Sequence, residues 1–245
     1  MRASRRTTAL SAAVLAVLGT AAPALAATPG VANRTVLGHH SHIWNSTSSN
    51  WAGYATTGGT FTSVKASWVQ PAASCTSSTT YSSFWVGIDG DGSNSVEQTG
   101  SEVDCSGGSP QYYSWYEMYP AYPVNFSNTV RAGDHFTASV TEASGGKFTL
   151  TLSDTTQGWT RTVSKTYSGA ALASAEVIAE APSSSTGVLP LTNFGTVNFT
   201  SATVNGQNIG NFSPDQINMA SGSTTKATTS ALSGGNAFSV TWKHK

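Results

Sequence analysis

From about residue 48 onward the apolar residues of this chain fall into alternating or clustered runs of four to eight, each broken by Gly, Ser, Thr, Asn or Pro. Val64–Val69, Phe84–Ile88, Phe148–Leu152, Trp159–Lys165, Thr196–Val204 and Ala237–Trp242 are such runs. Tyr112–Tyr119 is an aromatic run that stops at Pro120, and Phe136, Ala138 and Val140 alternate with polar partners. β-Branched and aromatic side chains fill these segments, as they do pleated, half-buried strands. Beyond the first 26 residues no 3.6-residue amphipathic period persists for more than about ten residues, so helices are not expected. Many short strands with regular turn chemistry predict an all-β chain folded as an antiparallel β-sandwich. No internal repeat and no second globular domain interrupts the pattern.

The first residues read differently. Arg2, Arg5 and Arg6 precede the apolar run Ala9–Leu18, and Ala24-Leu25-Ala26 is a small-x-small cleavage site. That order is a secretory signal peptide over 1–26, with an apolar run too short to span a bilayer. Residues 27–47 have no periodicity and are expected to be a propeptide or a flexible arm; residues 48–245 form the sandwich domain. The expected location is extracellular, with no membrane attachment after cleavage. Loss of the leader takes the twelve basic residues to nine against twelve acidic ones, a net of −3. This balance argues against nucleic acid or an anionic membrane as partner. The two cysteines, Cys75 and Cys105, are expected to form one disulfide, since export permits it.

Elimination narrows the chemistry. His39, His40 and His42 lie in the arm, His244 is penultimate, and His135 alone sits inside the domain. No HExxH or paired-Cys spacing is present, so neither a metal nor another cofactor is expected. There is no Gly-x-Ser-x-Gly elbow for a serine nucleophile. Asp89-Gly90-Asp91-Gly92-Ser93-Asn94 resembles a calcium loop but has Gly100 where the twelfth-position acid belongs, so it reads as a tight turn.

Carboxylates and amides remain. In Ala175-Glu176-Val177-Ile178-Ala179-Glu180 the strand period of two places Glu176, Ile178 and Glu180 on one face. Such acids face either solvent or a cleft, and partial burial would raise their pKa toward the range useful in acid–base work. Trp115, Glu117 and Tyr119 share a face, as a substrate groove or a core-edge cluster would require. Gln98 points away from Glu97.

Five stretches, in order, resemble the glutamic peptidases, the eqolisin family. They are Ser49-Asn50-Trp51-Ala52-Gly53-Tyr54, Phe84-Trp85-Val86-Gly87-Ile88-Asp89-Gly90-Asp91, Glu97-Gln98-Thr99-Gly100, Trp115-Tyr116-Glu117-Met118-Tyr119-Pro120 and Ala175–Glu180. The resemblance implies two curved antiparallel sheets of the concanavalin A-like, jelly-roll type, and a monomer that cleaves polypeptides by activating water, favoured at acidic pH. It carries the catalytic pair onto Gln98, as oxyanion stabiliser, and Glu176, as general base and acid. It carries substrate-groove positions onto Trp51, Trp85 and Glu117, which Trp115 and Tyr119 flank on the same face as further candidate groove residues, with Asp89 in a supporting place.

A carbohydrate-binding or glycan-cleaving sandwich is the alternative, because Trp85 and Trp115 could stack on sugars. Glycan cleavage wants two carboxyls about 5–9.5 Å apart. Glu176 and Glu180 lie roughly 13 Å apart along one strand.

Overall fold

The computed structural model describes residues 46–245; the expected leader and nearly all of the expected arm, with His39, His40 and His42, lie outside the described residues. The strands, in chain order, are β1 (Ser46–Ser48), β2 (Trp51–Thr57), β3 (Ser63–Val69), β4 (Ser83–Ile88), β5 (Val96–Ser106) and β6 (Ser109–Tyr119). Then come β7 (Val124–Asn125), β8 (His135–Ala143), β9 (Lys147–Asp154), β10 (Trp159–Thr166), β11 (Ser174–Glu180) and β12 (Ser183–Ser184). The last are β13 (Gly187–Val188), β14 (Thr196–Val204), β15 (Gln207–Asn208), β16 (Asp215–Ser221), β17 (Thr224–Thr229) and β18 (Phe238–Trp242). One 3₁₀ turn, Ile209–Phe212, precedes β16. The all-β expectation holds.

Hydrogen bonding runs continuously in the order β10-β9-β8-β3-β14-β18-β17-β16-β2-β11-β4-β5-β6-β7. This long sheet curls so that one half lies over the other. Strands β4 and β5 face β8, β5 also faces β9, and β11 faces β3 and β14. The ladders are antiparallel except where β1 joins β16 in parallel, which brings Ser46 and Thr47, just ahead of the boundary expected at 48, into the sheet.

The period of two decides what fills the space between the halves. Phe84, Val86 and Ile88 of β4 and Val177 and Ala179 of β11 point inward from one half; Phe136, Val140, Leu150, Leu152 and Phe199 meet them from the other. Each fully buried large apolar side chain contributes about 1.5–3 kcal/mol. The opposite face of β2, β11, β4, β5 and β6 carries a second, smaller cluster: Ala55, Trp85, Val96, Trp115, Ile178 and Ile217, with Trp51 and Tyr119 packed at its margin. A face opposite the core would ordinarily be polar and wet. Here its large aromatic side chains mark a cleft.

Strands β16 and β17 were not expected from the sequence. Asp215-Gln216-Ile217-Asn218-Met219-Ala220-Ser221 dilutes two apolar residues among polar ones, and Thr224-Thr225-Lys226-Ala227-Thr228-Thr229 has no large apolar residue. Each is placed by its neighbours, β2 and β18, rather than by its own hydrophobicity.

Cys75 and Cys105 form the expected disulfide, Cα atoms 5.3 Å apart and 30 residues apart in sequence. It ties the segment before β4 to the end of β5. Loop-closure entropy for that span predicts a loss of about 3–4 kcal/mol in the doubly substituted Cys75→Ser, Cys105→Ser protein, read as a lower denaturant midpoint at unchanged slope.

Candidate active site

Five strands present their second face side by side, and their register sets residues in rows. Ala55, Glu176, Gly87, Gln98 and Glu117 form one row across β2-β11-β4-β5-β6. Gly53, Ile178, Trp85, Gly100 and Trp115 form the next, and Trp51, Glu180, Ser83, Glu102 and Tyr113 the one after. Gln98, both β11 glutamates and the expected groove aromatics therefore share one surface.

Glycines give that surface its depth. A Cβ on Gly100 would sit 2.2 Å from the Phe84 carbonyl oxygen and 2.6 Å from Trp85 Cβ. On Gly87 it would sit 2.9 Å from Trp85 Cζ3. The Trp85 indole thus lies flat along the sheet with its six-membered ring against Gly87. Its other edge reaches the next row, where Nε1 donates to Glu180 Oε2 at 2.7 Å. Asn50 Nδ2 donates a longer bond, 3.4 Å, to Glu180 Oε1, and Asn50 is itself held by the Ser48 hydroxyl. Trp51 meets Trp85 edge-on, centroids 5.1 Å apart.

Gln98 Nε2 donates to Glu117 Oε2 at 2.6 Å, directly across the β5–β6 ladder. A carboxylate only accepts, so the amide nitrogen must face Glu117. A primary amide has two N–H groups and one carbonyl oxygen. Using one N–H on Glu117 fixes the plane in which the other two groups act.

The two β11 glutamates have different surroundings. Glu176 is fully buried, and neither carboxylate oxygen has a hydrogen-bond partner of good geometry. Burial raises its pKa well above the ordinary value; the Ser174 hydroxyl opposes this, the charges of Asp91 and Asp89 add to it, and the Asp91 N–H lowers it slightly. Glu176, expected to be the general base, therefore holds a proton more firmly than an ordinary carboxyl does. Glu180 is also buried but accepts from an indole N–H, a donor that stabilises negative charge.

Among the other expected positions, Trp51 and Tyr119 lie partly exposed at the margin of the aromatic cluster, where a ligand can touch them. Trp85, Trp115 and Glu117 are buried and position their neighbours. Asp89 does not serve as a groove residue. Its buried carboxylate accepts from the backbone N–H groups of Ala171, Leu172 and Ala173 at 2.8–2.9 Å, tying the 89–92 turn to the entry of β11. Asp89 adopts φ 66°, which agrees with the tight-turn reading of this segment. His135 is exposed, and no group of three or more metal-type ligands occurs among the described residues. Asn50 and the role of Glu180 were not singled out from sequence. The face shared by Glu176 and Glu180 was legible; which of them has a donor was not.

Buried acids beside the site make stability depend on pH. Glu97, on the core side of β5, is pushed up to about 8 by burial and by Asp89. Asp104, farther along β5, is pushed up to about 10 by burial and by Glu102. A folded-state pKa above the unfolded one means that the folded chain holds its proton longer. Stability is complete below the ordinary value, 4.5 for Glu97, and falls as pH rises toward about 8. Denaturant midpoints should drop between pH 4 and pH 8, and Glu97→Gln should flatten that decline. A midpoint rising over this range would contradict the assignment.

The sequence profile described as the Peptidase A4 family matches residues 49–242. Aspergillopepsin-2 of Aspergillus niger is 32% identical over 181 residues, 63% of this chain and 64% of that protein. Scytalidopepsin B of Scytalidium lignicola is 38% identical over 122 residues, 49% of this chain and 45% of that protein. The alignments thus span less than two thirds of the length of these curated relatives. In three dimensions the chain is similar to scytalido-glutamic peptidase, solved with a transition-state analogue inhibitor, with a TM-score of 0.70 and 29% identity over 80% of this chain and 98% of that one. It is also similar to aspergilloglutamic peptidase from Aspergillus niger, with a TM-score of 0.60 and 29% identity over 66% of this chain and 99% of that one. With the profile covering most of its length and the fold shared along with it, the chain belongs to the peptidase A4 family, the eqolisins.

Proposed function

We propose that this chain is a secreted endopeptidase in which Gln98 and a β11 glutamate act together on a water molecule. The observation that carries the reading is the Gln98–Glu117 hydrogen bond, which holds an amide in fixed orientation on the face where both β11 glutamates lie. The leader-like segment 1–26 supports export, and among the described residues no helix is long and apolar enough to cross a membrane. Polypeptides are the substrates, as the similarity to two named peptidases supports.

Amide hydrolysis without a covalent intermediate needs a base for the water and a donor for the oxyanion. Glu176 is the base that the resemblance implies, and a raised pKa suits a group that takes up a proton and hands it back. Gln98 and Glu176 lie in one row, two strands or about 10 Å apart by backbone, with no side chain on Gly87 between them, so both side chains can reach one water above the Trp85 ring. Glu180, two rows away and on a diagonal of roughly 16 Å from Gln98, is too far to share that water and is held by Trp85. Ionised Glu176 takes a proton from the water, whose oxygen attacks the carbonyl carbon. The oxyanion accepts from the Gln98 amide N–H. Collapse of the tetrahedral adduct passes the Glu176 proton to the departing nitrogen, and the C–N bond breaks.

Digestion of an unfolded protein substrate across pH 2–7 separates the roles. Gln98→Ala should cost about 2.7–4 kcal/mol in kcat, the value of one oxyanion donor. Glu176→Gln should abolish turnover. Glu180→Gln, which keeps an acceptor for the Trp85 N–H, should retain most of it. Retained activity in Glu176→Gln with loss in Glu180→Gln would hand the base role to Glu180. Full activity in Gln98→Ala would end the mechanism. Glu117→Gln should lower kcat with little change in KM, because it loosens the amide rather than the groove.

A further inference from the structure

Lys226 of β17 is 6% exposed, although it is a lysine on a strand that is otherwise largely threonine. Lys226 is the extra residue where the β16–β17 register slips between the pairs Met219–Ala227 and Ala220–Thr225, a bulge that turns its side chain out of the ladder, while Ala227 packs in the core. There it lines an open cavity of about 500 Å³ between the β16–β17 turn, the chain's last residues and the segments 78–79 and 188–190. The carbonyl of Lys226 accepts from both the Lys243 and the His244 N–H groups, at 2.8 and 3.1 Å, which fixes the last residues against it. His244 and Lys245 also line the cavity, as do the hydroxyl residues Ser78, Ser221 and Thr224, and no Asp or Glu side chain does. Among the described residues Lys226 has neither a hydrogen-bond partner for its ammonium nor an ion pair. The stem of Lys226 is buried while its ammonium reaches the open cavity, so the charge keeps only part of its hydration.

We propose that this cavity is a binding site for a compact oxyanion, with the Lys226 ammonium as its anchor and the Ser221 and Thr224 hydroxyls as further donors. The site shares no residue with the peptidase cleft. Charge-assisted bonds from an ammonium to phosphate, sulfate or carboxylate oxygens replace the hydration that burial removes. Burial lowers the Lys226 pKa, which is the response of a cation held in this cavity without an anion. The ligand is either a free inorganic ion or an acidic side chain of a polypeptide, since both offer the same oxygens.

The test is the thermal midpoint of the intact protein at constant ionic strength, titrated with sodium phosphate, sodium sulfate, a short oligoglutamate peptide or sodium chloride. A ligand that binds the folded state raises the midpoint saturably. Saturation by phosphate or sulfate, at least tenfold tighter than any effect of chloride, supports a free-ion site; saturation by oligoglutamate alone supports the same site with a polypeptide source. Lys226→Met keeps the stem and removes the charge. It should abolish saturation while leaving peptidase activity unchanged. Should that variant fail to fold, Thr224→Val at the exposed start of β17 should weaken the same titration several-fold. Titrations no different from chloride, or undiminished in a folded Lys226→Met, overturn the proposal.

Discussion

The bond from the Trp85 indole to Glu180 organises the rest of the cleft. An indole can lie flat on a sheet only where the residues beneath it have no side chain. Gly87, whose missing Cβ makes room for the ring, and Gly100, which admits the Phe84 carbonyl at 2.2 Å from its absent Cβ, supply that space. Once seated, the ring occupies the line between Gln98 and Glu176, gives its N–H to Glu180 and meets the edge of Trp51. Three features of the cleft thus depend on two glycines. An alanine at Gly100 would have to displace backbone, not merely a side chain.

The same arrangement separates two acids that sequence makes look equivalent. Glu176 and Glu180 stand on one face of one strand, four residues apart. Environment divides them: Glu180 accepts from the Trp85 indole, while at Glu176 desolvation and two neighbouring carboxylates outweigh the Ser174 hydroxyl and the Asp91 N–H. A raised pKa there lets the carboxyl hold a proton beside Asp89 and Asp91.

How much of this was readable in the residues follows from what each signal measures. The β-sandwich was legible because alternation such as Phe136, Ala138 and Val140 records which side of a strand meets the core, and the core is the sum of those sides. Strands β16 and β17 were not, since they are held by ladders to neighbours and their own side chains say little. The shared face of Glu176 and Glu180 was legible from the period of two. Their different chemistry was not, because it depends on Trp85, which is 91 and 95 residues away in sequence but adjacent through the β4–β11 ladder. Asp89 shows the same limit. Its position in a Gly-rich motif suggested the groove, while its partners, the N–H groups of 171–173, come from a segment that carries no polar signal.

The proton inventory connects fold and chemistry. Glu97, Asp104 and Glu176 lie on two strands that also carry Gln98 and Glu180, and burial raises all three. A sheet that places carboxyls this close is most stable while these acids keep their protons. Glu180 is fixed by donors instead, the Trp85 indole and the Asn50 amide. As pH rises the buried acids lose their protons, and the alkaline limit that follows is one of the stability of the sheet rather than of catalysis.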